Sequence, residues 1–190
     1  MIKTLLLFLI SVVLSAQPKV KLGIDVLTEN GFDILIGKRV GLITNHTGVN
    51  SKLVSTLNIF KENSNINLRA VFSPEHGVKG TIGAGQKFSD SVDNKSGIKF
   101  YSLYGNTQKP TKEMMDAIDI LVYDIQDIGC RSYTYISTLG NCMEAAAEYS
   151  KKIIVLDRPN PLGGLKIEGN LPDEEMLNFV CKFKIPYVYG

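Results

Sequence analysis

The chain has 190 residues, 44% of them hydrophobic and 21% charged, with a formal net charge of +2 and three cysteines. That length builds one well-buried α/β core but not two full ones, and the composition excludes a disordered tail or a polybasic binder. Lysines and arginines are scattered among acidic residues, with no basic stripe carrying interleaved aromatics, so no nucleic acid partner is expected.

Met1-Ile2-Lys3, an apolar run from Leu5 to Leu14 and the small exit Ser15-Ala16 have the layout of an export signal over residues 1–16. The run is short of the roughly 20 residues that span a bilayer, and no cysteine stands at the exit to accept a lipid. A secreted or periplasmic protein without a stable membrane anchor is expected.

From residue 19 onward, apolar β-rich runs alternate with helical patterns, which predicts a parallel sheet flanked by helices, the α/β class. Arg39–Thr44 reads as a strand. The turn Asn45–Gly48 and a helix near Lys52–Glu62, with Leu53, Leu57 and Phe60 at helical spacing, follow it. Leu68–Ser73 is a second strand, halted by Pro74, which has no amide hydrogen to continue a central ladder. Ile98–Leu103 is a third.

Pro110 and Thr111 open a helix over Lys112–Ala117, and Ile118–Tyr123, apolar except at Asp119, reads as a central buried strand. The Ala-rich stretch Tyr135–Ser150 predicts a helix, Ile153–Leu156 another buried strand, and Asp157–Pro161 a loop. Phe183–Val188 is strand-like again. Residues 19–180 are therefore expected to form the domain, and 181–190 to open a further region of a longer protein. Cys130, Cys142 and Cys181 match no zinc spacing and cannot all pair; they read as small hydrophobes, with a disulfide open to them in an oxidising compartment.

Ligands of open parallel sheets bind beyond the carboxyl ends of the strands. Four strand ends here carry polar groups: Asn45-His46, Pro74-Glu75-His76, Asp124-Ile125-Gln126-Asp127 and Asp157-Arg158-Pro159-Asn160. Helix capping accounts for single Asp or Asn residues. It does not account for Glu75, His76, Gln126 and Arg131 together, so the set predicts a site. Glu75, at the edge of a buried sheet, is the sharpest acid/base candidate, and Glu168 is the candidate for a partner carboxylate, with a solvated hairpin Glu as its alternative. Tyr133 and Tyr135, with Tyr101 and Tyr104, offer rings and hydroxyls suited to a sugar or to the core.

His46 and His76 with Asp124 or Asp157 form a lesser, metal-dependent alternative, because no short-spaced ligand pair is present. Neither Gly-x-Gly-x-x-Gly, a P-loop nor Gly-x-Ser-x-Gly occurs, so nucleotide chemistry and serine hydrolysis lack support. Gly80–Gly85 reads as a flap beside Glu75 or as an ordinary surface loop.

At these residues the chain resembles a bacterial family long catalogued as a domain of unknown function and now associated with exo-β-N-acetylmuramidases. The resemblance rests on Gly41–Gly48, Phe72–Gly77, Asp124–Asp127, Arg131–Ser137 and Leu156–Pro161, in order through nearly the whole chain after the signal. It implies a Rossmann-like catalytic domain followed by a second α/β domain, into which this sequence stops short of entering. It also implies cofactor-free hydrolysis of terminal β-linked N-acetylmuramic acid from peptidoglycan-derived saccharides. By the same resemblance Glu75 is the acid/base and Glu168 the second carboxylate. Asn45, His76, Asp124, Gln126, Tyr133, Tyr135, Asp157 and Asn160 would contact substrate. Arg131 or Arg158 would either pair with the lactyl carboxylate or form structural ion pairs. A non-catalytic domain that binds peptidoglycan glycans is the alternative from a different class.

Overall fold

Alternating side chains divide the core between the two faces of one sheet. In β1 (Arg39–Thr44), Val40 and Leu42 point to one face and Ile43 to the other, all fully buried. The computed structural model describes residues 20–189; the expected export signal at 1–16 lies outside them. Among the described residues no helix is long and apolar enough to cross a membrane.

The remaining elements in chain order are α1 (Gly23–Glu29, preceding β1), α2 (Thr56–Glu62), β2 (Asn67–Ser73), β3 (Ser91–Val92), β4 (Lys99–Ser102), α3 (Lys112–Asp116), β5 (Ile120–Asp124), α4 (Tyr135–Glu148) and β6 (Lys152–Val155). The strands lie in the order β3-β4-β2-β1-β5-β6, with only β3 antiparallel to its neighbour. Taken without β3, the parallel strands run third, second, first, fourth, fifth across the sheet. This is the Rossmann-like order, with its switch point between β1 and β5.

Ile24 and Leu27 of α1 and Phe60 of α2 cover one face; Met114 and Met115 of α3 and Cys142, Ala145 and Ala146 of α4 cover the other. Gly41 lets β1 lie against the second face, because a Cβ there would meet Phe72 and Ile118 carbons at 2.9 Å. One crossover has no helix. Between β2 and β4 the chain instead runs through residues 74–98 as a glycine-rich excursion over the strand ends, closed by β3.

Several elements differ from expectation for local reasons. The helix expected from Lys52 begins at Thr56, because Asn50 Oδ1 accepts from the amides of Lys52 and Val54, both at 2.9 Å, and winds 50–54 into a turn. Ser55 then caps α2 by accepting from the Asn58 amide at 3.1 Å. Asp119 stays outside β5 because its carboxylate binds the Arg39 guanidinium at 2.6 Å. Phe183–Val188 forms no strand: only Val188 bridges, to Cys130 and Glu168. Residues 187–189 fold back on the β5–α4 loop through Arg131 N to Tyr187 O, 2.8 Å, and Tyr189 N to Gly129 O, 3.1 Å. All three cysteines are free, and burial on the core-facing side of α4 pushes the Cys142 thiol well above its ordinary range.

Candidate active site

Glu75 follows the last residues of β2 in a tight turn, with Gly77 N donating to Pro74 O at 3.1 Å. His76 in this turn has φ 71°, a left-handed conformation costly for a residue with a Cβ, and Gly77 follows at the same value. The strain is held by a cross-loop pair: Ile82 N donates to His76 O at 3.3 Å, and His76 Nδ1 meets Ile82 O at 2.9 Å. A carbonyl only accepts, so Nδ1 carries the proton and Nε2 is left for another partner.

The partly buried Glu75 carboxylate gathers donors from two segments. Gly85 N reaches Oε1 at 3.1 Å, and Thr134 Oγ1, at the start of α4, reaches Oε2 at 3.2 Å. The Tyr104 hydroxyl, beyond β4, lies beside it; its interaction with the Glu75 carboxylate, followed by burial and the carboxylate's charge, raises the Tyr104 pKa. Tyr135 is buried, and burial, with the nearby Tyr133 and Glu75, pushes its phenol up as well. Tyr133 packs edge-on against Tyr135 at 5.7 Å but keeps its own ring 43% exposed, which suits it to stack on a sugar face. Asn45, at the end of β1, accepts from the Thr47 amide and hydroxyl through Oδ1, and its buried Nδ2 has no partner among the described residues.

Glu75→Gln should lower the Tyr104 pKa, since a neutral amide no longer opposes a phenolate beside it. A residue-resolved NMR titration with Tyr104→Phe as the assignment control checks this; an unmoved midpoint would separate the two groups.

The other expected site residues lie elsewhere and are engaged within the protein. Asp124 is fully buried and Arg158 nearly so; Arg158 Nε and Nη2 donate to the two carboxylate oxygens at 2.6 and 3.0 Å. Nη2 also donates to Val49 O at 2.7 Å, and Thr56 donates its hydroxyl to Asp124 Oδ2. This cluster fills the switch point between β1 and β5 and engages both residues within the protein, the ion pair being the alternative already open to Arg158. Arg131 Nη1 is held by the carbonyls of Asn170 and Ile185 at 2.8 and 2.6 Å, a clasp on the final segment. Gln126 Nε2 donates to Asp127 O and Pro159 O, and Asn160 bonds Tyr189 O and Leu162 N. Asp157 is exposed and accepts from the Arg158 amide.

Glu168 is exposed, pairs with Lys166 at 3.2 Å and shares no hydrogen-bond partner with Glu75. Asp127, which also acts on Tyr135, is taken up by the amides of Ile128 and Gly129 and the Tyr189 hydroxyl. Among the described residues no group of three or more His, Cys, Asp or Glu side chains is placed to hold a metal. Thr134 and Thr56 were not legible as site or strut from their sequence neighbourhoods, where each looks like a helix-capping residue.

A Rossmann-like sheet with an ion pair at its switch point, and a strand-end carboxylate beside Tyr104 and Tyr135, defines an α/β domain with a candidate site beyond the end of β2. The chain belongs to the family described as exo-beta-N-acetylmuramidase NamZ, N-terminal, whose model matches residues 40–190. It is 50% identical over 174 residues to the peptidoglycan beta-N-acetylmuramidase NamZ of Bacillus subtilis (strain 168), a match covering 92% of this chain and 42% of that protein. Two crystal structures of DUF1343 family proteins from Bacteroides fragilis NCTC 9343 share the fold. One has a TM-score of 0.82 at 58% identity and the other 0.75 at 39%, each covering 91% of this chain and 44% of the other. The chain thus spans less than half the length of these relatives.

Proposed function

We propose that this domain supplies the acid/base carboxylate of a glycosidase that releases terminal β-linked N-acetylmuramic acid from peptidoglycan fragments. The observation that carries the reading is Glu75 itself: a carboxylate at a strand end, oriented by donors from two separate segments and flanked by Tyr104. A general acid delivers its proton to the glycosidic oxygen only from a fixed position, and converging donors fix it. Tyr133 offers a stacking face, and Asn45, His76 and Tyr135 offer polar contacts to the sugar.

Hydrolysis breaks the bond between the anomeric carbon and the glycosidic oxygen. Glu75 protonates the leaving oxygen, and the anomeric carbon takes up water that Glu75 then deprotonates. A protein nucleophile would need a carboxylate about 5 to 5.5 Å away. Glu168, exposed and paired with Lys166, is the candidate for it, and the acetamido group of the substrate is the alternative. Peptidoglycan lies outside the cytoplasmic membrane, where an export signal at residues 1–16 would deliver the protein.

The experiment is to incubate this chain, and the full-length product of its gene, with a chromogenic β-N-acetylmuramide. Release by the full-length product is expected. Silence from both, with saturable glycan binding, would replace the hydrolase by a glycan-binding domain.

A further inference from the structure

A substrate bearing a carboxylate calls for a counter-charge; Arg158 is neutralised by Asp124, and Arg131 turns its Nη1 to the carbonyls of Asn170 and Ile185. A cavity of about 620 Å³ lies between the end of β1, α2 and the turn at 76–82. That volume is in the range of small-molecule sites. Asn45, His46, Lys61, His76 and Lys79 are among the residues lining it, and no Asp or Glu is. Phe88 and Phe100 supply apolar surface.

Two features point to an occupant. Asn45 is 3% exposed; its Oδ1 is satisfied by the Thr47 amide and hydroxyl at 2.9 and 2.6 Å, while Nδ2 is buried with no acceptor. A native fold rarely leaves such a donor empty unless a ligand or water completes it. His76 is held in a strained backbone conformation with Nδ1 bound to Ile82 O, which leaves Nε2 for the cavity. Lys61 is tied to Asp93 at 2.8 Å, whereas Lys79, exposed on the loop, enters no ion pair among the described residues.

We infer that this cavity is a subsite for a carboxylate carried on an amino sugar, with Lys79 as its counter-ion and the Asn45 amide as its buried donor. The inference rests on the glycosidase reading and assigns the substrate's charge to residues other than Glu75. Two sources share the chemistry: the lactyl carboxylate of muramic acid, and the carboxylates of a peptide attached to it.

The test titrates N-acetylmuramic acid, N-acetylmuramyl-L-alanyl-D-isoglutamine and N-acetylglucosamine by calorimetry into the full-length product of the gene, then into its Lys79→Glu and Asn45→Asp variants. Asn45→Asp keeps the Oδ1 acceptor for Thr47 and removes the donor; Lys79→Glu changes only an exposed loop residue. N-acetylmuramic acid, the dipeptide form or both should bind about tenfold or more tightly than N-acetylglucosamine, and each substitution should erase that preference. A preference for N-acetylmuramic acid alone assigns the lactyl carboxylate, and a preference for the dipeptide form the peptide carboxylates. Equal affinity for all three ligands, a preference that survives both substitutions, or no binding at all overturns the inference. Turnover of the chromogenic muramide in the same preparations shows which idea failed: if it persists, only the subsite falls, and if it is absent the glycosidase reading falls too.

Discussion

Glu75→Gln should reduce kcat for a chromogenic β-N-acetylmuramide by about 10²–10⁴-fold in the full-length product of the gene, the usual contribution of a positioned acid/base. The melting temperature should stay within a degree or two of the parent by the small effect expected of a substitution outside the core. Glutamine preserves size and an oxygen for the Gly85 amide, and the Tyr104 and Thr134 hydroxyls can each turn to accept from its NH₂. What it removes is the proton. KM should change little, because the sugar's contacts with Tyr133, Asn45 and His76 remain. A variant that keeps more than a tenth of the parent kcat would remove Glu75 from the chemistry.

Much of the sheet was legible because its strands are buried on both faces. Arg39–Thr44, Leu68–Ser73 and the core of Ile118–Tyr123 read as strands from their apolar runs alone, and each lies in the centre of the sheet. The short edge strand Ser91–Val92 is exposed and has no such signal. Helix α1 begins at a glycine that packs on backbone, a Cβ there falling 2.5 Å from Asp157 N, so propensity disfavours it and only the tertiary fit explains it.

The site was legible in part for a related reason. A proline that halts a buried strand marks where the next side chain emerges, which singled out Glu75. Sequence does not show which acceptor a cation finds. Arg131 and Arg158 have the guanidinium fork suited to a substrate carboxylate, but their partners lie 39, 54 and 34 residues away along the chain. Tyr104 and Thr134 meet Glu75 only because β4 and α4 end beside it, and nothing local distinguishes them from other loop residues.

The buried cluster at the switch point carries the second large effect. Arg158→Ala should destabilise the protein by about 3–5 kcal/mol, since it strands Asp124 as an uncompensated charge at the centre of the sheet. The Asp124 carboxylate is 0% exposed and the Arg158 side chain 6%, so water cannot replace the lost guanidinium without opening the fold. The loss extends beyond the pair, because Arg158 also holds Val49 O and Asp124 also receives the Thr56 hydroxyl, tying β5, the β6 loop and the start of α2 together. Asp124→Leu with Arg158→Leu should recover a substantial part of the deficit, because it removes the desolvated charges together. Denaturant midpoints at constant m-value measure both. A substrate-binding Arg158 would show the opposite pattern, a raised KM with the midpoint unmoved. That outcome would return the switch-point crevice to the ligand.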